Sequence, residues 1–287
     1  MAIPSKAQIV ATFDALVADG VLVYGPHEAI EHDCDGYPLE FRICASLSRK
    51  PNTFRAALDP AFDTSCKWGP GSDLFCPDER LKLVKLNGTH DLALNLFCVD
   101  RPQLLLLTLD SYKRQYEPLD HDDFAAALQV LIALDDMYVI FNGGEAAGCT
   151  RVHKHMQGLL GPPRAFELFV GGEEQKSHIP FQYYSCYITE GFNAVGASDL
   201  LKAYMKLLEG ARQSLGLLRP EEACPHNVVL WKDWIIVIPR RSAVVGLAAS
   251  ANAAGMLGSI WNSDQAPIKE WLKFGCRNVL EQLGVPR

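Results

Sequence analysis

Two hydrophobic periods run along this chain, and the switches between them mark out its elements. Ile9, Val10, Phe13, Leu16 and Val17 recur at helical spacing, and Gly20 follows as a stop, which predicts a helix over 7–18. Residues 41–45 alternate as a strand, whereas 24–37, rich in Gly, Asp and His, read as a loop. Strands are expected over 81–86, 93–99 and 103–109, the last fully buried. Phe124, Leu128, Leu131 and Ile132 form one helical face behind an acidic start at 120–123, which favours the helix dipole. A strand over 138–142 runs into a glycine-rich stretch, and Gly161-Pro-Pro163 ends the strand after it. Further along come a strand over 183–189 and a helix over 199–215, capped by Ser198 with Leu201, Met205 and Leu208 inward. A hairpin over 226–241 turns at Lys232–Asp233, and an amphipathic helix over 268–283 closes the chain. Helices and mostly short strands are thus expected to share the chain.

At 287 residues with 48% hydrophobic and 21% charged positions, the chain can bury a large core as one domain over 1–287. The two hairpins near Asn95 and Asn227 echo each other. An internal duplication with halves at about 1–165 and 166–287, packed as a pseudo-dimer, is one explanation; chance likeness is the other. A net charge of -7 argues against nucleic-acid binding, because no basic surplus is present to displace counterions. Nine cysteines without a Cys-x-x-Cys pair fit reduced thiols in a cytoplasmic protein better than a disulfide framework or zinc ribbon. The N-terminus lacks a secretory pattern, and the aliphatic run 104–107 is too short to span a membrane. His27, His32, Asp33 and Asp35 read as solvated loop residues, so no protein-held metal is expected.

Chemistry concentrates in Arg-Val-His-Lys-His-Met-Gln at 151–157 and the preceding Asn142-Gly-Gly-Glu-Ala-Ala-Gly148-Cys149-Thr150. On an extended strand His153, His155 and Gln157 share a face, and Lys154 lies on the other, where it is expected to be solvated or structural. Two imidazoles and an amide behind a glycine loop suit a phosphate chain. A neutral imidazole can attack phosphorus, and its neighbours can fix its tautomer and donate to the oxygens. Glycine also lets backbone N–H groups approach closely.

His-x-His-x-Gln behind Gly-Cys-Thr resembles the active-site signature of the histidine-triad-like nucleotidyltransferases. That superfamily includes the galactose-1-phosphate uridylyltransferases and the fungal-type diadenosine tetraphosphate phosphorylases, also called ATP adenylyltransferases. Lys154 between the histidines, the order of elements around Asn95 and 118–123, Pro239-Arg240 and Gly255-Met256 are similar to the second family. The resemblance implies an α+β fold, a histidine-triad-like antiparallel sheet flanked by helices, and His155 as nucleophile, with His153 orienting the loop or phosphate and Gln157 holding nonbridging oxygens. It implies substrate contacts at Lys50, assisted by Arg49, and at Asn142, Gly148, Cys149, Thr150 and Met256. It further implies nucleotide and inorganic phosphate as partners, no organic cofactor, and Mg²⁺ carried by the polyphosphate. The chain departs from the family pattern at Leu96, at 100–103, at 74–77 and at Ile260, losing positive charge. A hydrolase of the same superfamily and a non-catalytic nucleotide-binding protein are the alternatives.

Overall fold

The computed structural model describes residues 2–44, 46–47 and 66–287. Arg49, Lys50 and residues 51–65 therefore lie outside the described residues. Helix α1 (Lys6–Ala18) forms as expected; Ser5 and Gln8 cap it reciprocally, and Ile9, Phe13 and Leu16 are buried. Strands β1 (His27–Cys34) and β2 (Tyr37–Cys44) then make an antiparallel hairpin where a loop was expected for the first of them. Asp35 and Gly36, at φ 53° and 85°, supply its two-residue turn, and Asp-Gly is a strong local signal for that turn. The polar character of β1 belongs to an edge strand with one side open to water.

The framework is an eight-stranded antiparallel sheet containing β3 (Lys82–Leu86), β4 (His90–Leu94), β5 (Leu104–Thr108), β6 (Met137–Gly143), β7 (His155–Leu160), β8 (Tyr184–Tyr187), β9 (His226–Trp231) and β10 (Trp234–Pro239). Their spatial order is β3-β4-β5-β7-β6-β9-β10-β8. Strand β6 is the seam, pairing with β7 on one side and β9 on the other. The strand expected at 93–99 stops at Leu94, because Asn95 already donates its N–H to the Gln103 carbonyl and the chain loops away.

Helices α2 (His121–Ala133) and α5 (Ala197–Ser214) join α1 on one sheet face, around a core including Phe13, Phe124, Leu106, Tyr204 and Leu208. Short helices α3 (Phe166–Val170) and α4 (Glu173–Ser177) follow β7. The other face packs on β2, α3 and the C-terminal elements. These are the small hairpin β11 (Val244–Val245) with β12 (Ala249–Ser250), α6 (Ala253–Met256), β13 (Ser259–Asn262), α7 (Ala266–Phe274) and α8 (Cys276–Leu283). Strand β13 lies parallel to β2 and completes a three-stranded sheet.

Four helical expectations need correction. The buried face of α5 carries Leu200, Tyr204, Leu208 and Ala211, while Met205 is exposed. Tyr204 decides the rotation, since its hydroxyl meets His226 and accepts from the Leu119 N–H inside the core. The cap of α5 is Gly196, whose N–H bonds the Asp199 carboxylate, so Ser198 lies in the first turn. Ile132 of α2 also faces solvent. The terminal helix is two, because Gly275 at φ 80° ends α7 and opens α8. Among the described residues, no helix is long and apolar enough to cross a membrane.

Candidate active site

Strand β6 peels away from β7 at its glycine end: their paired register runs from Met137↔Leu160 to Ile140↔Gln157. Beyond it, the Gln115 side chain is inserted between the strands. Its Oε1 accepts from the His155 N–H at 2.8 Å, and its Nε2 donates to the carbonyls of His155 (2.9 Å) and Asn142 (3.1 Å). A side-chain amide thus continues the ladder while holding the strands apart, and a cleft of about 610 Å³ lies in front of this split.

His155 lines the cleft, and its Nδ1 lies 2.7 Å from the His153 carbonyl oxygen. A carbonyl only accepts, so Nδ1 carries the proton and the neutral ring has its lone pair on Nε2. Gln157 lines the cleft too. Its Oε1 accepts from Gln103 Nε2 at 2.8 Å, which makes its own NH₂ the donor it offers. Gln103 is itself held by the Val99 N–H at 2.9 Å. Asn142 is arranged alike: its Oδ1 accepts from Asn227 Nδ2 (2.9 Å) and from the Ala253 N–H (2.8 Å), leaving its NH₂ for the cleft.

His153 is fully buried and not on the cleft surface. Its Nε2 donates to the Thr108 carbonyl at 3.0 Å, and its Nδ1 accepts from the Ser72 hydroxyl at 2.8 Å. Asp73 accepts from the N–H groups of Val152 and His153. His153 therefore orients the loop, tying the 66–78 segment and its cleft-lining Trp68, Leu74 and Phe75 to the active strand. Burial lowers its pKa and favours the neutral ring this bonding needs. Lys154 is buried rather than solvated, donating to the Pro118 carbonyl at 2.7 Å and pairing with Asp123 at 2.6 Å on the far side of the sheet. Asp123 also meets His90 at 3.0 Å.

Gly148, Cys149 and Thr150 line the cleft. Gly148 has φ 84°, and a Cβ there would come within 2.8 Å of the Ala251 carbonyl and Asn252 Cα. Glycine is thus required both by conformation and by the close approach of the two loops. The N–H groups of Gly148 and Cys149 close turns onto Glu145 and Gly144, so the loop spends them on its own shape rather than on phosphate. Met256 is buried and its neighbour Gly255 reaches the cleft; the Met256 carbonyl accepts from the Tyr37 hydroxyl. Arg151 and Glu145 are the charged lining residues among the described residues. Leu96, at one departure from the family pattern, lines it as an apolar group. No cluster of three or more potential metal ligands occurs among the described residues.

The structure thus brings together His155, Gln157, Asn142, Gly148, Cys149 and Thr150, and sets His153 and Met256 behind the surface. Sequence reasoning missed Gln115, Gln103, Ser72 and Asp73. Each acts across a long sequence separation.

Comparison with known proteins adds the family. Residues 11–166 match the Ap4A phosphorylase N-terminal domain, Ap4A being diadenosine tetraphosphate, and 177–286 match the ATP adenylyltransferase C-terminal domain. Two Saccharomyces cerevisiae proteins are similar. Protein APA1 is 28% identical over 214 residues, covering 64% of this chain and 66% of that protein. Diadenosine tetraphosphate phosphorylase 2 is 29% identical over 226 residues, covering 67% and 69%. The chain thus spans about two thirds of the length of these curated relatives. In three dimensions, it is similar to crystal structures of yeast Ap4A phosphorylase Apa2. The one in complex with Ap4A has a TM-score of 0.77 at 23% identity, covering 99% of both chains. The one with AMP has a TM-score of 0.75 at 23% identity, covering 99% of this chain and 98% of that one. With an N-terminal match over more than half its length, followed ten residues later by the C-terminal one, this chain belongs to the Ap4A phosphorylase and ATP adenylyltransferase family.

Proposed function

We propose that this chain cleaves diadenosine tetraphosphate with inorganic phosphate, giving ATP and ADP, and runs the reverse adenylyl transfer through a nucleotidyl intermediate on His155. One observation carries the mechanism: the Nδ1–H of His155 is held by the His153 carbonyl, which puts the lone pair on Nε2. Nε2 attacks an α-phosphorus, a P–N bond forms, and the P–O bond to the bridging oxygen breaks to release ATP. The ring is then cationic, and the Nδ1–H bond to the carbonyl strengthens as that charge develops. An oxygen of inorganic phosphate next attacks the same phosphorus, the P–N bond breaks, ADP leaves, and the ring returns to neutral. Two in-line displacements replace one difficult transfer.

Gln157 and Asn142 are suited to donate their NH₂ groups to nonbridging oxygens, because their own amide oxygens are already held. Thr150 and Arg151 at the cleft edge, with Lys50, complete the proposed phosphate contacts. Mg²⁺ belongs to this scheme as part of the polyphosphate substrate: Glu145 is the single carboxylate lining the cleft among the described residues, and one carboxylate is no cage. The same reading places the protein in the cytoplasm, acting on free nucleotides rather than on nucleic acid or a membrane.

The test is turnover of diadenosine tetraphosphate with and without inorganic phosphate, beside His155→Ala. Phosphate-dependent ATP and ADP, abolished by the substitution, support the phosphorylase. Phosphate-independent release of AMP would replace it with a hydrolase, and binding without turnover would make the chain a nucleotide-binding protein.

A further inference from the structure

Arg240, directly after β10, is fully buried, and among the described residues its guanidinium touches no carboxylate. Its Nε donates to the Leu283 carbonyl at 3.1 Å. One terminal nitrogen donates to the Ala147 carbonyl at 3.4 Å and to Asn227 Oδ1, and the other to the carbonyls of Ser242 and Ala251, each at 2.8 Å. All five N–H donors of the side chain are thereby matched, and every acceptor is neutral and non-titratable. Burial alone pushes the guanidinium down to about 9, with no acid near enough to oppose it. A buried charge without a counterion is costly, so this cation is stored where an anion can be brought to it.

Its acceptors show where that is. Ala251 lines the cleft, and Ala147 precedes cleft-lining Gly148. Asn227 passes the polarisation on, because the amide that accepts from Arg240 donates through Nδ2 to Asn142 Oδ1, and Asn142 faces the cleft. In a chain of hydrogen bonds each member strengthens the next, so the positive charge makes the Asn142 NH₂ a better donor. The cleft surface itself is poor in cations among the described residues, with Arg151 its single basic lining group.

We propose that Arg240 is a positioning residue whose uncompensated charge, acting through Asn227 and Asn142 and through the Ala147 and Ala251 loops, selects ligands with longer phosphate chains. The inference rests on the polyphosphate reading of the cleft.

The experiment is equilibrium binding of AMP, ADP and ATP to the full chain as wild type, Arg240→Gln and Arg240→Lys. A charge one layer behind the wall, at an effective dielectric of roughly 20, changes the binding of an anion by about tenfold. The Gln variant should lose little on AMP, more on ADP and about tenfold on ATP. An equal loss on all three, or none, overturns the inference, since a merely structural Arg240 damages the cleft without regard to phosphate number. The Lys variant decides the matter even if the Gln variant does not fold. Its buried ammonium should deprotonate more readily than an exposed one, so the preference for ATP should persist at neutral pH and fade in alkali. Wild type should hold that preference to a higher pH than the Lys variant does. A Lys variant without the preference at neutral pH overturns the proposal. A wild type that binds none of the three nucleotides removes the polyphosphate reading as well; a uniform loss in the Gln variant removes this inference alone.

Discussion

Gln115→Ala isolates the inserted amide that opens the site. The substitution deletes three hydrogen bonds, two of them to the backbone of His155. The Asn142 carbonyl keeps a second donor, the Gly144 N–H at 3.0 Å, so the orphaned groups are the His155 N–H and C=O. Gln115 is 2% exposed, and each buried polar group left unpaired costs about 1–3 kcal/mol. The expected loss of stability is therefore about 2–4 kcal/mol, towards the lower end if water fills the vacated space. The kinetic effect is of a different kind. Gln157 and Asn142 still present their donors, so substrate affinity should change little, whereas His155, the proposed nucleophile, loses the clamp that sets its position. A displacement of about 1 Å at a reacting atom costs on the order of 100-fold in kcat. Urea unfolding and phosphorolysis kinetics of the same variant read both quantities. Stability within about 0.5 kcal/mol of wild type, together with unchanged kcat, would refute the clamp.

Two further outcomes follow from buried groups. Lys154→Met leaves Asp123 in the core with His90 as its remaining ionisable partner, which should destabilise by about 3–5 kcal/mol in thermal or urea unfolding. Adding Asp123→Asn should recover part of that loss. Stability should also fall in mild acid. His226 is neutral in the core, donating from Nδ1 to the Cys224 carbonyl and accepting at Nε2 from Tyr204, and burial pushes its pKa down to about 4. The unfolded chain binds the proton near pH 6.5, so the contribution is fully present above that value and is lost as pH falls towards 4. It amounts to about 3 kcal/mol, and His153, shifted the same way, adds to it. Urea midpoints between pH 7.5 and 4.5 should show the decline, with a flatter profile in His226→Gln.

Much of the framework was legible because its signals are local. The spacing of Ile9, Phe13 and Leu16, the aliphatic run of β5 and the Lys232–Asp233 turn each settle an element within a few residues. Asp35-Gly36 was equally local, but the polar edge strand beside it masked the hairpin. Where a choice depended on distant partners, the pattern misled: Leu201 and Met205 are as apolar as Leu200 and Tyr204, and it is His226 that selects the second pair. The site shows the same division. His155 and Gln157 stand in one strand and could be found together, whereas Gln115 and Gln103 reach them from other segments, where an amide carries no local mark of its purpose. The period of two rightly set Lys154 apart from its neighbours. It could not tell water from a buried carboxylate on that other side.

The seam at β6 bears on how the cleft accommodates a ligand. The two parts of the sheet share backbone hydrogen bonds along the whole β6–β9 ladder, so a hinge between them would tear the sheet across its middle. Any embrace of the ligand therefore falls to the rims: the Trp68–Phe75 segment on one side, and on the other the β11–β12 hairpin, whose tip carries the 93% exposed Leu247. Changes in those rims should therefore alter which nucleotides are admitted, while the proposed phosphate chemistry at the split strands stays the same.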